Sequence, residues 1–344
     1  PGACGSEAAW ASPEIEIIAA QSLIQLANHF KGTQVLARPQ PKIHTRENEP
    51  IDLSDIKGQE SAKRALEVAA AGGHNLLMIG PPGAGKSMLA ARLPTILPPL
   101  SPAALLEVSM IASIAGTNEG GALTTRRPFR SPHHSASMPA LVGGGLRARP
   151  GEISLSHNGV LFLDELTEFS GQALDSLRQP LETGSGNLTR QPSHHIPGTL
   201  HVGGSNESLP VRTAKRRRVF CKRGENERCA AEYQARLSGP LLDRIDLHIE
   251  VPGVTAADLI LPAPPEGSRE VAARVARARD IQTARYASMG LENVRTNSQM
   301  SGPALEGIAR ADPAGLTLLR EAADSMRLSA RGYHRVLRVA RTLA

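Results

Sequence analysis

Cysteine is scarce: Cys4, Cys221 and Cys229 are the only three in 344 residues. Three thiols make neither an even disulfide framework nor a zinc-spaced quartet, so a reducing compartment is expected and no zinc is assigned. Long apolar runs are missing too. Nothing approaches the ~20 residues of a membrane-crossing helix, and the opening residues lack the basic and then apolar stretch of a secretory leader. The expected location is the cytoplasm, with no membrane partner. No internal repeat is found, and a chain starting at Pro1 is expected to be a piece of something longer.

Against these absences stands a composition of 40% hydrophobic residues, enough in a chain of this length for two domains with cores of their own. Lys and Arg number 39 against 33 Asp and Glu, a formal net charge of +6 and a modest bias towards nucleic acid or nucleotide phosphates.

Residues 1–50 are expected to be the tail of another unit, with a strand and a helix near Ile15–Gly32 and the Pro-bearing linker VLARPQPKIHTRENEP behind them. From residue 51 the text alternates. IKGQESAKRALEVAAAGG has the Ala-rich 3.6-residue period of a helix ended by glycines. HNLLMIG and GVLFLDE are short apolar runs of the kind buried parallel strands show. An insertion rich in Arg, His and Gly separates them, and from Ser268 the pattern is nearly all helical. The expected fold class is α/β, a parallel sheet flanked by helices over 51–255, followed by a small all-α lid over 256–344.

GPPGAGKS, residues Gly80, Pro81, Pro82, Gly83, Ala84, Gly85, Lys86 and Ser87, matches G-x-x-x-x-G-K-[ST] between an apolar strand and a helix. Glycines let successive N–H groups face phosphates, the helix start adds a positive dipole end, Lys86 reaches the β and γ phosphates, and the Ser87 hydroxyl ligates Mg²⁺. GVLFLDEL then delivers Asp164 and Glu165 at the carboxyl end of a strand, where open α/β sheets bind ligands. Asp164 suits holding Mg²⁺ and Glu165 suits orienting or deprotonating the attacking water. ATP and Mg²⁺ are the expected cofactors.

Arg244, in RLSGPLLDRIDL, suits either a finger offered to a neighbouring subunit's γ-phosphate or an ion pair with Asp243 or Asp246. Arg331 starts the last helix, as a cation carried from lid to nucleotide or as a solvated helix-start residue. In the insertion TTRRPFRSPHHSASMPALVGGG, Arg126, Arg127 and Arg130 with His133 and His134 offer phosphate contacts to DNA, or a solvated loop. The two histidines, without partners at ligand spacing, make a poor metal site.

The strings DIKGQESAKRALEVAAAGGHNLLMIGPPGAGKS, RPFRSPHHSAS, PGEISLSHNGVLFLDELTEF, CAAEYQARLSGPLLDRIDLHIEVP and LSARGYHRVLRVARTLA together resemble the magnesium-chelatase-like AAA+ ATPases of the competence protein M branch, over Asp52–Ala344. The resemblance implies that Ile56, Gly58 and Gln59 pack on adenine, that Lys86 and Ser87 are the Walker A pair and Asp164 and Glu165 the Walker B pair, and that Arg244 is the arginine finger and Arg331 the second sensor. It also implies a ring, a hexamer in relatives, that drives DNA branch migration in recombination of incoming DNA during transformation. The relic at Ile15–Gly32 would end an S5/Lon-type domain. Two other readings fit the same motifs, a magnesium-chelatase ATPase subunit and an inactive nucleotide-binding remnant.

One stretch breaks the resemblance. Where the family has an apolar strand ending in the first-sensor asparagine that positions water, this chain has PGTLHVGGSNESLP, Pro197–Pro210, a poor composition for a buried strand. Permissible codons for it, read one base later, spell Pro-Ala-Arg-Phe-Met-Leu-Val-Ala-Ala-Met-Asn-Pro-Cys. Residues 188–221 are therefore read as frame-displaced. KRRR at Lys215–Arg218 becomes a by-product, Asn206 is not assigned as the sensor, a gap in the sheet is expected, and hydrolysis is expected to be impaired.

Overall fold

The computed structural model describes residues 5–11, 14–40, 43–44, 51–118, 123–144, 149–183, 185–187, 195–197, 201–207, 238–262, 264–291 and 294–344. Lys215–Arg218, Cys221 and Cys229 lie outside them. The centre is a parallel sheet of β1 (Leu76–Gly80), β2 (Phe129–Arg130), β3 (Val160–Leu163), β4 (His201–Glu207) and β5 (Leu247–Glu250), in the order β5-β1-β4-β3-β2. Side chains alternate along each strand. Leu76, Met78, Val160 and Phe162 therefore join one core layer with α1 (Glu60–Gly72) and α2 (Lys86–Ile96). Leu77, Leu161 and Leu163 join the other, with Leu141, Leu174 and Leu241. Strands buried on both faces explain why LLMIG and VLFL read as unbroken apolar runs.

The expected gap in the sheet is not there. His201–Glu207 fills the central slot, pairing in parallel with β1 from Gly203↔Leu76 to Glu207↔Gly80 and with β3 from His201↔Val160 to Gly204↔Leu163. Ladder hydrogen bonds are made by backbone groups alone, so a segment of low strand propensity can occupy a slot whose two neighbours both present unpaired N–H and C=O groups. Asn206 is thus preceded by a strand after all and lies opposite Ile79. Towards the N-terminus, Leu23–Phe30 forms the expected helix, capped by Ser22 but with none of its residues buried, while Ile15–Ala20 is not a strand. A strand requires a neighbour to pair with.

The helical region starts on the core. In α4 (Ser268–Ser288), Val271 and Val275 pack with the sheet's first layer, whereas Tyr286, further along, joins Met300, Leu305, Leu319 and Leu337 in a separate small core. That second core gathers α5 (Gly302–Ile308), α6 (Pro313–Ser325) and α7 (Ala330–Leu343). Arg274 fastens α4 to α1 through Glu67 Oε1 at 2.7 Å. Burial alone would raise the Glu67 carboxyl, but hydrogen bonds from Arg274 and Arg64 hold it below its ordinary value. Among the described residues no helix is long and apolar enough to cross a membrane.

Candidate nucleotide site

The loop from Gly80 to Lys86 leaves the carboxyl end of β1 and turns into α2. Gly83 and Gly85 adopt φ of 74° and 84°, and a Cβ built on either would meet nothing within 4 Å. Both glycines therefore face open space in a backbone conformation that suits glycine. Lys86 is buried, and its Nζ donates to the carbonyls of Gly80 and Pro81, both at 2.9 Å. Ser87 is exposed at the mouth, and its Oγ donates to Asp164 Oδ2 at 3.0 Å. The two sequence motifs thus share one cleft at the carboxyl edge of the sheet.

Glu165 follows with φ 51°, a left-handed conformation in which non-glycine residues are uncommon, and its Oε2 lies 3.2 Å from His134 Nδ1, an ion pair when the imidazole is protonated. His134 comes from the turn after β2 and stacks against His133, with ring centroids 4.0 Å apart. Its part in this cleft escapes sequence inspection, because only the sheet order brings the turn after β2 beside the end of β3. Ile56 is buried, Gly58 and Gln59 have φ of 65° and 59°, and Gln59 Nε2 donates to Pro252 O at 2.7 Å. Gly253, one residue on, lies beside Pro81, so this segment converges on the same loop. Gln59 Oε1 is buried with no hydrogen-bond partner among the described residues, an acceptor that suits an exocyclic amino group. A backbone cradle open to solvent, a buried lysine, a hydroxyl against a carboxylate and an orphaned acceptor fit Mg-ATP.

The arginines are distributed otherwise. Arg127 is half-buried, donating from Nε to Pro98 O and from Nη1 to Asn158 O, both at 2.6 Å, and burial lowers its pKa to about 10. Arg130 clasps Glu152 with both arms of its fork, at 2.6 and 2.7 Å. Two of the three arginines expected to meet DNA therefore already have acceptors within this chain, Arg127 in a half-buried setting that needs them and Arg130 in a charge-assisted pair that stays partly exposed. Arg126 remains exposed. Arg244 is half-buried and bonds Pro240 O at 2.6 Å, near the amino end of β5. Arg331 is exposed at the start of α7, one turn before Arg335, which reaches the Arg244-bearing turn. Arg244 lies towards the edge of the sheet opposite the chain's own phosphate loop, beside Asn75 at the start of β1. Among the described residues no group of three or more His, Cys, Asp and Glu could hold a metal.

Strand order, phosphate loop and acidic pair define a P-loop AAA+ core with an appended helical region. Residues 52–259 match the family model for magnesium chelatase, subunit ChlI, and residues 265–344 the model for its C-terminal part. The chain belongs to this magnesium chelatase subunit ChlI family. It is 42% identical over 333 residues to the uncharacterized protein Rv2897c of Mycobacterium tuberculosis, covering 96% of this chain and 65% of that one. It is 40% identical to the uncharacterized protein YifB of Escherichia coli, covering 92% and 60%. It is 38% identical to the competence protein ComM of Haemophilus influenzae, covering 94% and 63%. The chain thus spans less than two thirds of the length of each of these relatives.

Proposed function

We propose that this chain binds Mg-ATP at Gly80–Ser87 and forms the ATPase part of a cytoplasmic ring motor, hexameric as the resemblance implies, that acts on DNA in recombination. The observation that carries the reading is the 3.0 Å contact between Ser87 Oγ and Asp164 Oδ2. These two oxygens would hold Mg²⁺, which neutralises phosphate charge when bound. Lys86 would exchange its two loop carbonyls for β- and γ-phosphate oxygens. Glu165 would orient the attacking water, and Arg244 and Arg331 would supply positive charge at the γ-phosphate, Arg244 from a neighbouring copy. Support for DNA as substrate is the net charge of +6 and a relative named for competence.

Turnover is proposed to be slow in this chain. Counted along the one-base-offset reading, the sensor asparagine falls at position 207, the last residue of β4 and the partner of Gly80; Glu207 stands there. A glutamate carboxylate has no amide N–H and cannot act as the sensor's neutral donor. The test is binding of a fluorescent ATP analogue with and without Mg²⁺, followed by phosphate release with and without forked DNA. Micromolar, Mg²⁺-dependent binding with slow release is expected. Absence of binding sinks the nucleotide reading, and turnover that DNA leaves unchanged sinks the motor. Recoding 188–221 in the offset frame should raise turnover by at least tenfold; no change removes the frame argument.

A further inference from the structure

Helix α7 grips the turn that carries Arg244. Arg335 Nη1 donates to Leu242 O at 3.0 Å and also to Ile245 O, while Nη2 meets Asp243 Oδ1 at 3.3 Å. Three acceptors within four consecutive residues converge on one planar guanidinium, a match for its rigid fork that the single ammonium of lysine cannot copy. Leu242 ends the short helix Gly239–Leu242, and its carbonyl also accepts from Ile245 N at 3.1 Å, so the cation adds a second donor to an already capped helix end. Two turns further along the same face, Thr342 Oγ1 pairs with His74 Nε2 at 2.8 Å, and His74 Nδ1 with Asp246 Oδ2 at 3.2 Å. Asn75 Nδ2 donates to Arg244 O at 3.3 Å from the start of β1. The turn is thus held by α7 directly at 242–245 and indirectly at Asp246.

We propose that Arg335 is a positioning residue for Arg244: it splints the Arg244-bearing turn to the last helix, so that helical region and finger move as one body. This rests on the reading of Arg244 as a finger. Without the splint, Arg244 keeps its charge but loses its fixed direction, and a misplaced positioning group costs turnover rather than nucleotide affinity.

The test compares the unaltered chain with Arg335→Met, Arg335→Lys and Arg244→Ala. In Arg335→Met, amide exchange over 241–246 is expected to accelerate at least tenfold while β1 exchanges as before, with nucleotide Kd within twofold and kcat down at least tenfold. Arg335→Lys should recover only part of kcat. Adding Lys86→Ala chains, which bind no nucleotide but carry an intact Arg335 and Arg244, should restore turnover at Arg335→Met pockets, whereas adding Arg244→Ala chains should not. Unchanged exchange over 241–246, or kcat within twofold of the unaltered chain, overturns the proposal. If the unaltered chain shows no turnover, the kcat comparison is made in the chain recoded over 188–221, where absent turnover sinks the ATPase reading, and the exchange comparison still decides whether Arg335 holds the turn.

Discussion

Ser87 Oγ and Asp164 Oδ2 meet at 3.0 Å although their strands, β1 and β3, are separated by β4. Two strand spacings amount to roughly 10 Å, so the contact exists because both residues sit past the carboxyl ends and lean across the central strand. Asp164→Asn keeps the shape and removes the charge that would face Mg²⁺. It is expected to weaken Mg-ATP binding at least tenfold, about 1.4 kcal/mol or more. In chelator, mutant and parent should bind nucleotide alike. Anisotropy titrations with and without Mg²⁺ check this, and a difference persisting in chelator would contradict a metal role.

The pairing of His134 with Glu165 predicts the opposite kind of effect. A carboxylate engaged by an imidazole is drawn from the position where it would orient water. His134→Ala should leave nucleotide Kd unchanged and raise basal phosphate release by roughly two- to fivefold, while Glu165→Gln abolishes release and retains binding. Steady-state phosphate release and nucleotide titration on the same preparations separate the two. A fall in release for His134→Ala would count against a restraining role.

Arg126 and Arg127 are adjacent in sequence and should behave unlike each other. Arg127→Ala removes the donor for Pro98 O and Asn158 O and should cost about 2–4 kcal/mol of stability. Arg126→Ala should be neutral to melting within about 0.5 kcal/mol. If this surface meets phosphates, that change lowers the salt slope of DNA binding by about one. Thermal melts and binding at several salt concentrations distinguish them.

Acid should loosen the second core layer's edge. Burial pushes His157 below its ordinary 6.5, against its hydrogen bond to Glu107, and burial lowers His248 as well. Between the lowered folded value and 6.5, the unfolded chain holds more protons, so stability is fully present above 6.5 and declines as pH falls through that window. Tm should drop between neutral pH and about pH 5, and by less in His157→Gln. Equal drops would assign the effect to other groups.

Much of this architecture was legible because its chemistry is local. LLMIG followed by GPPGAGKS, and VLFL followed by Asp164-Glu165, announce strand, loop and site together, since burial on both faces and phosphate-facing N–H groups each restrict residue type. The strand at His201–Glu207 was not legible, because its identity comes from two neighbours offering backbone partners rather than from its own composition. Arg127 and Arg130 looked like surface charge for a related reason: a residue count does not reveal which carbonyl or carboxylate the fold aims at a guanidinium. Arg335 stood among evenly spaced arginines of an amphipathic helix, and only the tertiary approach of Leu242–Ile245 distinguishes it.

Strand β1 has both of its ends chemically committed. At one end Gly80 opens the phosphate loop, packed so closely that an added Cβ would lie 2.1 Å from Val251 O. At the other, Asn75 and His74 bind the base of the Arg244 turn. Five residues of extended chain are stiff over their roughly 16 Å length. An axial shift at the ligand end would therefore be felt at the opposite rim, where the same strand holds the base of the Arg244 turn.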